Sequence, residues 1–159
     1  MVHTIIFDID SLIIQPNLSR ESFSLYDDIT IIHSPPQKLL DFISVNQDCC
    51  CIITQYPLES IMPIMEMIEC DGRCISSSLL TEDGTIIPRS INKSDILGSS
   101  TGPVVLVTGN TYSPDFIALA DFIIAFGKNE RGLSTELLML STHAIYDEEK
   151  LCQILQQLL

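Results

Sequence analysis

The chain has 159 residues, 46% of them hydrophobic and only 18% charged, so it is long enough for one real core and too apolar for disorder. Its formal net charge of −13, from 21 acids against 8 bases, repels nucleic-acid phosphates, and no lysine or arginine cluster offsets this. No apolar run approaches the roughly 18 to 20 residues of a membrane span, so a cytoplasmic protein without membrane contact is expected.

The pattern alternates short apolar runs with helical stretches, which predicts a parallel sheet wrapped by helices over one domain, residues 1–159. Residues 3–9 read as a strand buried on both faces, because Thr4, Ile5, Ile6 and Phe7 are almost continuously apolar. Residues 11–34 lack helical period, and Asp27-Asp28 suggests a turn, so a flap-like hairpin ending in residues 29–32 is expected. Pro35-Pro36 opens a helix carrying Leu39, Leu40 and Ile43. Residues 49–54 form the second buried strand, in which three consecutive cysteines act as small hydrophobes. Cys70 and Cys74 lack a second ligand pair, which argues against zinc, and a reducing compartment is the simpler inference.

After Pro57 a helix places Leu58, Ile61, Met62, Met65 and Ile68 on one face, with Pro63 as a kink or a shifted start. Residues 74–76 read as a short strand, and residues 79–87 as a hairpin turning at Asp83-Gly84. A third buried strand is predicted at 103–108, a short helix at 115–120, a strand at 122–126, and a last helix at 147–158. The last helix carries Leu151, Ile154, Leu155 and Leu158 inward.

Ligands of open parallel sheets bind at the carboxyl ends of strands. The first buried strand ends at Asp8-Ile9-Asp10, the second at Thr54 and the third at Gly109-Asn110, with Asp115 close behind. Lys93 precedes the third strand by about the length of a short helix, and Arg89 stands near it as an alternative cation. Each residue also has an ordinary reading. Asp8 and Asp10 can cap a turn, Thr54 can cap a helix, and Asp115 can be a first-turn helix acid.

Taken in order, these residues resemble the four motifs of the haloacid dehalogenase superfamily of aspartate-nucleophile phosphohydrolases. Asp8-Ile9-Asp10 is similar to its strand-terminal DxD, Thr54 to its strand-ending hydroxyl, and Lys93 to its lysine. Gly109-Asn110-Thr111-Tyr112-Ser113-Pro114-Asp115 resembles its last acidic motif. The stretch 118–127 is similar to the corresponding stretch of phosphoserine phosphatases and soluble P-type-ATPase-like proteins.

The resemblance implies a three-layer Rossmann-like fold and a Mg²⁺-dependent phosphomonoesterase acting on a small phosphorylated substrate. It makes Asp8 the nucleophile and Asp10 the general acid and base. Thr54 becomes a phosphoryl donor and Lys93 the neutralising cation. Asp8, the main-chain carbonyl of Asp10, and Asn110 or Asp115 become the metal ligands. Departures stand beside the matches. Asn110 replaces an acid, and Ser11-Leu12 replace the usual residues after DxD, so a catalytically weak ligand- or partner-binding relative is the alternative. The 43 residues between Asp10 and Thr54 leave no room for a large cap. An open site of this kind suggests a homo-oligomer, with Arg20 and Tyr26 of the flap as guesses for substrate choice. A phospho-acceptor receiver domain fits less well, since no Asp ends a strand in the middle of the chain.

Overall fold

Side chains along the central strands alternate between two apolar clusters, and this alternation defines the architecture. In the computed structural model the described residues are 3–16, 29–31, 35–109, 114–127 and 133–159. Six strands form one parallel sheet: β1 (Thr4–Asp8), β4 (Cys50–Thr54), β5 (Arg73–Ser76), β8 (Val104–Thr108), β9 (Phe122–Phe126) and β10 (His143–Ile145). Their spatial order is β10-β9-β8-β1-β4-β5. The chain leaves β1 in one direction and later returns to its other side, so the order reverses at the β1–β8 pair.

On one face lie α2 (Gln37–Val45), α3 (Leu58–Met67) and α7 (Glu148–Leu158), packed on Ile5, Phe7, Cys50, Ile52, Val105 and Val107. On the other lie α4 (Lys93–Leu97), α5 (Pro114–Ile117) and α6 (Thr135–Leu140), packed on Ile6, Cys51, Ile53, Val104 and Leu106. Successive residues of one strand thus serve opposite layers, as the two-residue period of a strand requires. This is the three-layer parallel α/β fold expected from the sequence.

The helices bury the expected stripes with a few differences. Leu39, Leu40 and Ile43 of α2 are buried, and so are Leu151 and Leu155 of α7, while Ile154 and Leu158 are partly covered. In α3 the buried stripe is Ile61, Ile64 and Met65. Met62, expected inside, is 47% exposed. Pro63 stays within the helix on its exposed face, where water can take up the carbonyl that its missing N–H leaves free. The six cysteines are free thiols. Burial pushes Cys50 up to about 12 and Cys51 up to about 11, so both remain protonated core residues.

Two small antiparallel pairs decorate the sheet. The strands β2 (Ile14–Pro16) and β3 (Ile29–Ile31) pair across the expected flap, whose connecting residues, with Arg20 and Tyr26, lie outside the described residues. The strands β6 (Ser78–Leu80) and β7 (Ile86–Pro88) form the expected second hairpin. Gly84 turns it with φ +86°, a conformation that favours glycine. Four elements escaped sequence reasoning: α4, α6, β10, and the one-turn α1 (Ile9–Leu12). All four are too short for the pattern of their type to repeat.

Candidate active site

Six polar residues are buried among the described residues: Thr4, Asp8, Thr54, Ser60, Ser76 and Thr108. Four of these, Asp8, Thr54, Ser76 and Thr108, end the adjacent strands β1, β4, β5 and β8. The registers Asp8↔Ile53, Thr54↔Ser76 and Phe7↔Val107 keep those ends nearly level. Burying polar groups without purpose is costly. Here they form one polar rim at the carboxyl edge, beside the reversal in strand order where ligands bind in such sheets.

Asp8 is 1% exposed and leads from β1 into α1. The Thr108 hydroxyl donates to its Oδ2 at 2.9 Å. Its Oδ1 is buried and has no hydrogen-bond partner among the described residues. Ser11 ties the two strands together: its Oγ accepts from the Gly109 N–H at 2.8 Å and lies 3.2 Å from the Thr108 Oγ1 and 3.1 Å from the Asp8 carbonyl oxygen. Thr108 has one proton and gives it to Asp8, so the Ser11 proton serves either the Thr108 oxygen or the Asp8 carbonyl. The close approach also explains Gly109. A Cβ there would stand 3.1 Å from the Phe126 carbonyl oxygen and 3.4 Å from that of Ser11.

Asp10 turns toward β4. The Thr54 hydroxyl donates to its Oδ1 at 2.6 Å, and the Gln55 N–H donates to its Oδ2 at 2.7 Å. The Thr54 oxygen in turn accepts from the Tyr56 N–H at 3.1 Å. The Thr54 hydroxyl, expected from the motif resemblance as a phosphoryl donor, is thus engaged by an internal carboxylate together with the Gln55 N–H.

Burial disfavours the charged form of both acids. It raises Asp8 to about 6, opposed chiefly by the Thr108 hydrogen bond. It raises Asp10 to about 7, with the neighbouring Asp8 charge adding to the rise and the Thr54 hydrogen bond opposing it.

The expected cation is elsewhere. Lys93 begins α4 and donates to Asp121 Oδ1 at 2.7 Å, while Asp121 Oδ2 accepts from the N–H of Val104. Val104 is the first residue of β8, and Thr108 is its last, so Lys93 sits at the amino edge, about 13 Å along the strand from the acids. The assignment of Lys93 to the site is therefore corrected: in a strongly acidic chain a nearer carboxylate claims it. Arg89 instead lines a cavity of about 590 Å³ at the carboxyl edge, with Gln55, Ser77, Ser78, Ser90 and Asp115 among the other lining residues. Asp115 is thus on the expected side. Asn110 lies outside the described residues.

Sequence reasoning missed Thr108 as the hydroxyl that holds Asp8 and treated Ser11 only as a departure. The available signal was a second threonine closing a buried strand, as Thr54 does.

The donor set suits a hard divalent cation. Among the described residues no three His, Cys, Asp or Glu side chains converge on a metal position. Mg²⁺ keeps several waters and needs only one or two carboxylates. The orphaned Asp8 Oδ1 is the acceptor that such an ion would satisfy.

These observations define a doubly wound parallel α/β protein with a pair of acids, Asp8 buried and Asp10 half-buried, at its topological switch point. No family model and no curated protein matches the chain. Solved structures do. The cobalt-bound deoxy-D-mannose-octulosonate 8-phosphate phosphatase of Haemophilus influenzae matches with TM-score 0.61 at 7% identity, over 99% of this chain and 88% of its own. A putative haloacid dehalogenase (HAD) superfamily hydrolase of subfamily III A from Legionella pneumophila matches with TM-score 0.59 at 9% identity, over 99% and 83%. The phosphoserine phosphatase of T. onnurineus matches with TM-score 0.56 at 14% identity, over 100% and 96%. The fold is that of the haloacid dehalogenase-like proteins, in agreement with the resemblance in the sequence motifs. Among the described residues, no helix is long and apolar enough to cross a membrane.

Proposed function

We propose that the chain is a Mg²⁺-dependent phosphomonoesterase acting on a small phosphorylated metabolite through an aspartyl-phosphate. The observation that carries this reading is the buried Asp8 carboxylate, held at Oδ2 by Thr108 and unpartnered at Oδ1, with a second carboxyl two residues on. The phosphatase names among the structural neighbours support the same class.

Asp8 attacks phosphorus, forming an O–P bond as the ester P–O bond breaks. Asp10 gives its proton to the leaving oxygen, then takes one from the water that attacks the same phosphorus and frees Asp8 and phosphate. The order of the two acids favours these roles, because the group at about 7 holds a proton near neutrality more readily than the group at about 6. When Asp10 turns toward the leaving oxygen it releases the Thr54 hydroxyl and the Gln55 N–H, which become donors to the phosphoryl oxygens. Asp8, the main-chain carbonyl of Asp10, and Asn110 or Asp115 would hold the ion. When bound, it offsets the negative charge shared by the carboxylate and the phosphoryl group.

Phosphate release from a panel of phosphorylated metabolites with Mg²⁺ tests the reading. Asp8→Asn is expected to lose at least about a thousandfold in kcat, as removal of a covalent nucleophile does. Equal rates in wild type and variant would rule Asp8 out.

A second reading, a ligand-binding relative without turnover, is favoured by the neutral Asn110 and by the engagement of both Asp10 oxygens. Mg²⁺-dependent binding of BeF₃⁻ would count against it, and no metal binding at millimolar Mg²⁺ would favour it.

A further inference from the structure

The cavity beside Gln55 holds more space than a phosphoryl group needs. Its volume of about 590 Å³ falls in the range of small-molecule sites. Gln55 links it to the acid pair, since Gln55 lines the cavity while its N–H holds Asp10. Whatever the phosphoryl group is attached to has this cavity to enter.

The lining has a definite chemistry. Arg89 is its one cation among the described residues, and its guanidinium makes no hydrogen bond or ion pair there, although the chain carries 21 acids. The main chain holds it in place, since the Arg89 N–H donates to the Ser77 carbonyl at 2.7 Å just beyond β5. Asp115 lines the same cavity without pairing with Arg89, so the two charges face the cavity separately. Three hydroxyls, Ser77, Ser78 and Ser90, lie among them. The Ser78 hydroxyl gives its proton to the Gln55 carbonyl at 2.6 Å and therefore offers lone pairs to a ligand. Phe116, Leu119 and Ile91 supply an apolar wall.

Resting on the phosphomonoesterase reading, we propose that this cavity receives the leaving group, and that Arg89 selects leaving groups that carry an oxyanion of their own. A guanidinium fork matches the two oxygens of a carboxylate or the face of a phosphate. The Ser78 oxygen accepts from hydroxyls of the same group. The substrate class is a hydroxylated phosphomonoester with a second anionic group. Arg89 is a specificity residue here and takes no part in the chemical step.

Matched substrate pairs test this. Phosphoglycerate against glycerol phosphate isolates a carboxylate, and a hexose bisphosphate against the matching monophosphate isolates a second phosphate. The readout is the ratio of kcat/KM within each pair, whatever the absolute rate. Wild type is expected to favour one anionic member by roughly 10- to 100-fold, the value of a charge-assisted hydrogen bond. In Arg89→Gln the ratio falls toward one, mainly through KM, and Arg89→Lys recovers part of it. Whichever pair shows the effect identifies the oxyanion. A wild-type ratio near one in both pairs, or a ratio unchanged in Arg89→Gln, would overturn the assignment while leaving the phosphomonoesterase reading intact. If wild type hydrolyses none of the four esters, that reading falls and takes the subsite with it. Should Arg89→Gln fail to fold, the Arg89→Lys ratio decides the point, since the lysine keeps the charge but lacks the fork.

Discussion

The Thr54 hydroxyl donates to Asp10 at 2.6 Å, so the residue at the end of one strand governs the proton of an acid 44 positions earlier. A hydrogen bond to the ionised form favours that form. Thr54→Val removes it, and Asp10 is then expected to hold its proton to higher pH. The descending limb of the kcat/KM profile should shift upward, with a loss of about 10- to 100-fold in rate from the missing donor. An unshifted limb would show that Thr54 does not touch the titrating group.

The same contact predicts competition. Asp10 occupies the Thr54 hydroxyl and the Gln55 N–H. Asp10→Ala vacates both donors, so inorganic phosphate should inhibit or bind about tenfold more tightly in that variant with Mg²⁺ present. Calorimetry reads this directly, and weaker phosphate binding in Asp10→Ala would refute the shared cradle.

Burial of the acids makes the metal-free protein sensitive to pH. Asp8 titrates near 3.9 in an unfolded chain and at about 6 in the fold. Below about pH 4 both states are protonated, and Asp8 costs nothing. As pH rises the unfolded chain ionises first, so stability falls until the folded value is passed. The shift of about two units corresponds to about 3 kcal/mol at pH 8. Asp8→Asn should therefore raise Tm by several degrees at pH 8 without metal and change it little at pH 4. Mg²⁺ should stabilise wild type most above pH 7, where both carboxylates are ionised. A Tm gain independent of pH would contradict this.

Thr108→Val keeps the shape of a buried side chain and removes the hydroxyl that holds Asp8 Oδ2. The cost is expected to be about 1 to 3 kcal/mol by urea unfolding above pH 7, where Asp8 is ionised. It should shrink at pH 4, where the protonated carboxyl needs that donor less. Equal losses at both pH values would mean that packing, and not the Asp8 bond, is the cause.

Lys93→Gln separates the structure from the motif resemblance. The Lys93–Asp121 pair is about half exposed, so its loss should cost no more than about 1 kcal/mol. Phosphate release should be unchanged, because Lys93 faces the amino edge. A hundredfold loss of activity would return Lys93 to the site.

Much of the fold is written in local burial. The runs ending at Asp8, Thr54 and Thr108 are apolar on both faces, and only a covered parallel sheet asks that of consecutive residues. The acids and hydroxyls that interrupt those runs mark the strand ends, so Asp8, Asp10 and Thr54 are legible without coordinates. By contrast α6 and β10 span six and three residues, too short for a period to emerge.

The order of apolar and polar residues along the chain already settles which side chains reach the carboxyl edge, since strand length and polarity decide where a chain leaves the core. Their partners follow from how distant strands assemble. Thr108 reaches Asp8 across 100 positions, Ser11 meets Gly109 across 98, and Lys93 goes to Asp121 while Arg89, unpaired among the described residues, lines the cavity. Periodicity records whether a side chain is buried; a hydrogen bond or an ion pair depends on which group from a distant strand arrives within about 3 Å, and that is a property of the assembled sheet.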